Sequence, residues 1–126
     1  MAPKQKLLIV LANGSPKNPA PAATAFVYAQ TARALDHEVE IHLTGEAVKL
    51  AFEGVAAGLI TEEVSQTSLM VHIQRAHELG VKLFACGMAL RTHHKGEAFI
   101  GELTGQAGTT AVVGQLMLDQ AKVLTF

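Results

Sequence analysis

The sequence predicts an α/β fold in three layers, α/β/α, with a mostly parallel sheet of four to five strands. Three observations carry this. Short apolar runs alternate with longer helix-period segments, the pattern of right-handed β-α-β crossovers. The first run, Leu7-Leu8-Ile9-Val10-Leu11-Ala12, is apolar on both faces, as central parallel strands are. The segment that follows it is an alanine-rich helix of about 14 residues, too long for a hairpin connection. At 126 residues the chain makes a single domain with one core.

The elements follow in order. Asn13-Gly14 ends the first strand. Residues 13–21 read as a loop, with three of the four prolines. It lacks the GxGxxG spacing and the Walker lysine of phosphate loops, so it reads as a turn into the next helix. Residues 22–35 form that helix, with Phe26 and Tyr28 its bulky aromatics, and Asp36-His37 closes it. Val39, Ile41 and Leu43 alternate with Glu38, Glu40 and His42, which predicts a half-exposed strand near an edge or against a partner copy. Thr44 is the expected N-cap of a helix through Ala47, Val48, Leu50, Ala51 and Phe52. Residues 56–60 fit a helix or a short extra strand. Ser68 is the expected cap of a helix whose stripe is Leu69, Ile73, Ala76 and Leu79, with Gly80 ending it. His72 and His77 are five apart, off that stripe, and read as solvated. Val81 to Cys86 is a buried strand running into Gly87. Gly101, Gly105 and Gly108 mark a loose region. Thr109 is the expected cap of a last helix with Val112, Val113, Leu116 and Met117. Asp119-Gln120 turns the chain into a closing strand, residues 122–126.

Composition narrows the function. Apolar residues make up 49% of the chain and charged residues 17%, a balance that predicts self-association. A net charge of -1 without a basic run gives no footprint for direct nucleic-acid binding. The short apolar run after the amino-terminal lysines, residues 7–12, is too short for a signal peptide, and no stretch is long enough to span a membrane. One cysteine excludes an internal disulfide framework and fits a reducing compartment, so a cytoplasmic location is expected. No cofactor signature is present.

Cys86 is that cysteine, and it falls at the carboxyl end of its strand, where open α/β sheets bind ligands. Two readings stand: a packed core thiol, or the reactive atom of the protein. Arg91, His93, His94 and Lys95 follow within ten residues, and a helical turn starting near Met88 points free N–H groups towards the sulfur. No Cys-x-x-Cys exists for a dithiol cycle. A Cys-His hydrolase could draw on His42, His93 or His94, but the sequence marks no third group to orient the base. A lone thiol suits carriage of one sulfur atom as a persulfide. His93-His94, adjacent and without a third ligand, make no metal site.

Four stretches resemble the DsrE-type sulfur-carrier family and together span nearly the whole chain. They are Leu7-Leu8-Ile9-Val10 with its glycine loop, Ala25-Phe26-Val27-Tyr28-Ala29-Gln30, Gly80-Val81-Lys82-Leu83-Phe84-Ala85-Cys86 with Ala89-Leu90-Arg91, and Asp119 to Phe126. The third is the most specific, because it places Cys86 where the family's persulfide-carrying cysteine sits. Thr92-His93-His94-Lys95 departs from the arginine-glycine pattern of relay members. The resemblance implies a three-layer α/β/α fold and sulfur transfer between donor and acceptor proteins. It also implies assembly as homotrimers or hexamers. Cys86 is then the sulfur acceptor, and Arg91 the group expected to hold its thiolate charge, with His93 or His94 after it. The rival from another class is an oligomeric small-molecule-binding or scaffold protein with Cys86 structural.

Overall fold

The computed structural model describes residues 3–126. Its main sheet has five strands in the order β6-β5-β2-β1-β7, every neighbouring pair parallel. The strands are β1 (Lys6–Leu11), β2 (Glu38–Leu43), β5 (Lys82–Cys86), β6 (Gly105–Ala107) and β7 (Lys122–Thr125). Helices α1 (Ala20–Ala34), α2 (Leu69–Glu78), α3 (Gly87–His93) and α4 (Thr109–Leu118) connect them, and a small antiparallel pair, β3 (Ile60–Glu62) with β4 (Thr67–Ser68), precedes α2. The α/β reading holds.

The register sorts side chains into two layers, because successive strand residues point to opposite faces. Leu7, Ile9 and Leu11 line up with Val39, Ile41 and Leu43, and the last two with Leu83 and Ala85. Most of this face, from Ile9 to Ala85, belongs to the main core with Ala22, Ala25, Phe26 and Ala29 of α1 and Leu69, Ile73 and Ala76 of α2. Alanines at helical spacing keep α1 close to the sheet. Pro19 precedes α1 and Pro21 sits in its first turn, where a missing N–H costs nothing. Gly14 in the preceding loop admits no side chain, since a Cβ there would lie 2.9 Å from Ala22 Cβ. The loop over residues 13–21 is thus a packed turn, closed by paired backbone bonds between Ser15 and Asn18. At the other end of α2, Gly80 takes φ +96°, and its N–H bonds the His77 carbonyl.

Several expectations are corrected. β2 is not an edge strand but the middle of the sheet, and its polar side is covered: Glu40 and His42 are 8% and 6% exposed. Alternation mimics an edge here because the second face buries a charged cluster rather than apolar side chains. Residues Gly45–Ala51 form a 3₁₀ helix, tighter than the expected α-helix, and Thr44 bonds no backbone N–H with its side chain. Ser68 is the N-cap residue of α2 but makes no side-chain cap bond, and Gly108, not Thr109, is the N-cap of α4. Leu79 falls outside the buried stripe and is 43% exposed. Residues 56–60 are a short 3₁₀ turn, Ala56–Gly58, running into β3. The glycine-rich region contains β6, held to β5 beside a Thr104 hydroxyl that accepts the Leu83 N–H. His72 is half-buried rather than solvated. Burial, then the nearby Arg75 cation, lowers its pKa, and its buried Nδ1 has no hydrogen-bond partner among the described residues.

The layer on the opposite face is thin. It consists of α4, whose sequence is largely apolar yet contributes no buried residue. Met117 and Leu118 are 76% and 83% exposed.

The uneven layers set an expectation for stability. Phe26→Ala removes a fully buried ring and should cost about 3–5 kcal/mol in denaturant unfolding. Val64→Ala, at a fully solvated turn position, should change stability by less than about 0.5 kcal/mol.

Candidate functional site

The second face of the sheet carries the chemistry. Lys6, Leu8 and Val10 of β1 stand on it beside Glu40 and His42 of β2, with Lys82, Phe84 and Cys86 of β5 beyond. Leu8 is fully buried, and β6 adds the small residues Gly105 and Ala107 opposite Phe84 and Cys86. Small residues at the end of the sheet and the shallow seating of α4 leave open space around the thiol.

Two spaces meet at Cys86. The inner one is a cavity of about 180 Å³ between the sheet and α4. Its walls include Val10, His42, Thr44 and Cys86 from the strand ends and Thr109 and Val112 from α4. The outer one is an open cleft of about 540 Å³ lined by Cys86, Gly87, Met88, Arg91, Gln106 and Thr110, among others. Cys86 is half-buried, the N-cap residue of α3, and touches the edge of the main core.

The residues singled out in the sequence separate here. Arg91, exposed on α3, shares the outer cleft with Cys86. His93 is half-buried and lines neither space. His94 is committed elsewhere: its Nε2 is 2.7 Å from the Glu97 carbonyl, and its ring stacks on Phe99 at 4.7 Å. Lys95 is exposed. Among the described residues no three His, Cys, Asp or Glu side chains are grouped to hold a metal ion.

His42, one of three histidines in the hydrolase reading, is the one in the cavity with Cys86. It is stacked on Phe84, centroids 5.1 Å apart, and its Nε2 lies 2.9 Å from Glu40 Oε1. Glu40 also meets Lys6 Nζ at 2.9 Å through Oε2 and accepts a bond from Gln115 Nε2 at 3.2 Å. Burial alone raises the Glu40 carboxyl, but the bonds from Lys6, His42 and Gln115, with the Lys6 charge, outweigh it and hold the pKa below the ordinary range. An ionised carboxylate only accepts, so Nε2 of His42 carries the proton. No hydrogen-bond partner meets the other ring nitrogen, Nδ1, among the described residues. The third group that a histidine base needs is Glu40, two residues earlier on the same strand. The alternation that marked both as exposed concealed it.

A parallel α/β sheet with one thiol at the rim, flanked by a cavity and a cleft, defines a small single-cysteine α/β protein. The chain belongs to the DsrE/DsrF-like family, whose family model matches residues 6–126. Solved structures show the same fold. The YchN protein of E. coli is 20% identical with a TM-score of 0.74, over 97% of this chain and 99% of that one. The protein of unknown function MTH1491 from Methanobacterium thermoautotrophicum is 11% identical, TM-score 0.63, over 98% and 100%. The conserved protein of unknown function BT1422 from Bacteroides thetaiotaomicron is 14% identical, TM-score 0.62, over 97% and 95%. No curated protein matches the chain. No helix among the described residues is long and apolar enough to cross a membrane.

The ionic cluster has a pH signature. A carboxyl whose folded pKa is lowered stabilises the fold fully above the unfolded value. That contribution is lost as pH falls through the folded value. Glu40→Gln should therefore flatten the loss of melting temperature on acidification through and below the ordinary glutamate range. Thermal melts of both proteins between neutral pH and pH 3 test this. Parallel curves would show that Glu40 contributes nothing to acid sensitivity.

Proposed function

We propose that the protein accepts a sulfane sulfur as a persulfide on Cys86 and passes it to a thiol of a partner. The observation that carries this is the position of Cys86 at the carboxyl end of β5, in the wall shared by the inner cavity and the outer cleft. A thiol placed so meets a donor and then an acceptor without moving. Membership of the DsrE/DsrF-like family supports the same chemistry. Arg91 in the outer cleft supplies positive charge near the thiolate and its persulfide. The half-buried setting leaves the sulfur open to exchange.

Self-association belongs to this reading. Val113, Met117 and Leu118 of α4 and Val123 and Leu124 of β7 are all exposed, an apolar surface that a second copy of the chain would cover. Three protomers, or six as paired trimers, are the expected assembly.

The scaffold reading finds its one support in the contact of Cys86 with the core. The two readings differ in outcome. Incubation with a sulfane donor should add the mass of one or more sulfur atoms, and dithiothreitol should remove it. Cys86→Ser should abolish the adduct with little loss of melting temperature. An unmodified mass together with a serine variant destabilised by roughly 1–3 kcal/mol would end the carrier reading.

Assembly has its own test. Light scattering at micromolar concentration should give a mass above the monomer's. Met117→Glu, which puts a charge in the exposed apolar surface, should lower it. A monomer mass for the unaltered chain would refute the assembly.

A further inference from the structure

The inner cavity holds a group that sulfur acceptance on Cys86 does not by itself use. His42 is 94% buried, yet it forms part of the cavity wall together with Cys86. The register places it opposite Phe84, so Cys86 is the next residue along on the same face of the adjacent strand. That spacing puts the two Cα atoms on the order of 8 Å apart, a gap that two side chains and a bound sulfur atom fill. The Glu40 carboxylate fixes the ring from behind through Nε2, and stacking on Phe84 fixes its plane. Nδ1 is the ring nitrogen that Glu40 leaves unbonded.

The walls restrict what enters. Val10, Leu43, Ala107, Val112 and Val113 are apolar, and among the described residues no lysine or arginine lines the cavity. An oxyanion donor such as thiosulfate would lose its hydration there with no cation to replace it. An uncharged, polarisable sulfur chain loses little. The volume, about 180 Å³, suits a small molecule and not a protein segment.

We propose that His42 is the proton carrier for Cys86 in this cavity, and that the donor admitted is a low-molecular-weight persulfide entering in its protonated, uncharged form, R–S–SH. The proposal rests on the reading of Cys86 as a sulfur acceptor. His42 Nδ1 takes the proton from Cys86 Sγ. The thiolate attacks the outer sulfur of the donor, the Sγ–S bond forms and the donor S–S bond breaks. The leaving R–S⁻ takes the proton back from His42. The products are the Cys86 persulfide and R–SH. The transferred sulfur keeps its oxidation state, so no oxidant or reductant is consumed. Glu40 is a positioning residue, acting through His42. The charged and titratable groups around His42 are Glu40 on its own strand, Lys6 behind Glu40 on β1, and Lys82 and Cys86 on β5; α4 presents the neutral Gln115.

The test follows the rate at which ethyl hydropersulfide, generated in situ, adds one sulfur to Cys86, read by intact mass. His42→Gln keeps a donor for Glu40 but has no basic nitrogen, and should load at least about tenfold more slowly at neutral pH. Alkylation by iodoacetamide at high pH, where solvent ionises the thiol, should be unchanged and so reports an intact site. Val112→Phe fills the cavity from α4 and leaves Glu40 and His42 themselves unaltered. It should slow loading in the same way while sparing alkylation from the outer cleft. Glu40→Gln should shift the pH profile of loading, which loss of packing alone would not do. Thiosulfate should load the unaltered protein far more slowly than the persulfide. If the unaltered protein takes sulfur and both His42→Gln and Val112→Phe load as fast, this proposal falls and the acceptor reading stands. Equal loading from thiosulfate overturns the donor class. If the unaltered protein takes no sulfur from either donor, the acceptor reading falls and this proposal with it.

Discussion

The parallel pairing of β1, β2 and β5 is the constraint on which the rest depends. Six residues of β1 match six of β2, and four of β2 match four of β5. Once that register is set, the period of two decides everything downstream. A slip of one residue would send Ile9, Ile41 and Leu83 towards α4 and drive Lys6, Glu40 and His42 into the alanines of α1. The apolar face is what forbids this, since it has no group to pair with a carboxylate. The cost of burying Glu40 is therefore tied to one register, and the same register carries His42 alongside Cys86.

That buried cluster is better understood as a device for placement than as a source of stability. Buried ion pairs often do no more than offset the desolvation of their charges. Glu40 nevertheless accepts from three side chains on three elements: Lys6 on β1, His42 on β2 and Gln115 on α4. The Gln115 bond ties the thin outer helix to the sheet, where α4 contributes no buried residue. The cavity beside the thiol lies under this helix.

The architecture was legible in the sequence where one physical signal dominated. The apolar run at residues 7–12, the alanine helix and the strand ending at Cys86 each follow a single period, and each is where it was expected. Legibility failed where two causes give one pattern. Glu38-Val39-Glu40-Ile41-His42-Leu43 alternates for a solvated edge and for a central strand with a charged cluster, and only long-range partners such as Lys6 and Gln115 tell them apart. The 3₁₀ helix Gly45–Ala51 has an ordinary helical composition, and nothing in its own residues marks the tighter winding. β6 is three residues without a bulky side chain, and pairing alone makes it a strand. At the site, the position of Cys86 on its strand and the proximity of Arg91 were readable from spacing. The place of His42 in the same cavity wall was not, because it depends on the pairing of β2 with β5.

The two outer strands of the sheet are its shortest, three residues in β6 and four in β7. Each offers few free N–H and C=O groups along its outer margin, and Lys122 puts a charge at the start of the longer one. Amyloid-forming segments run to six or seven residues of uninterrupted strand. Neither margin provides such a template, so the sheet is protected from end-to-end growth into fibres even though its apolar content is high.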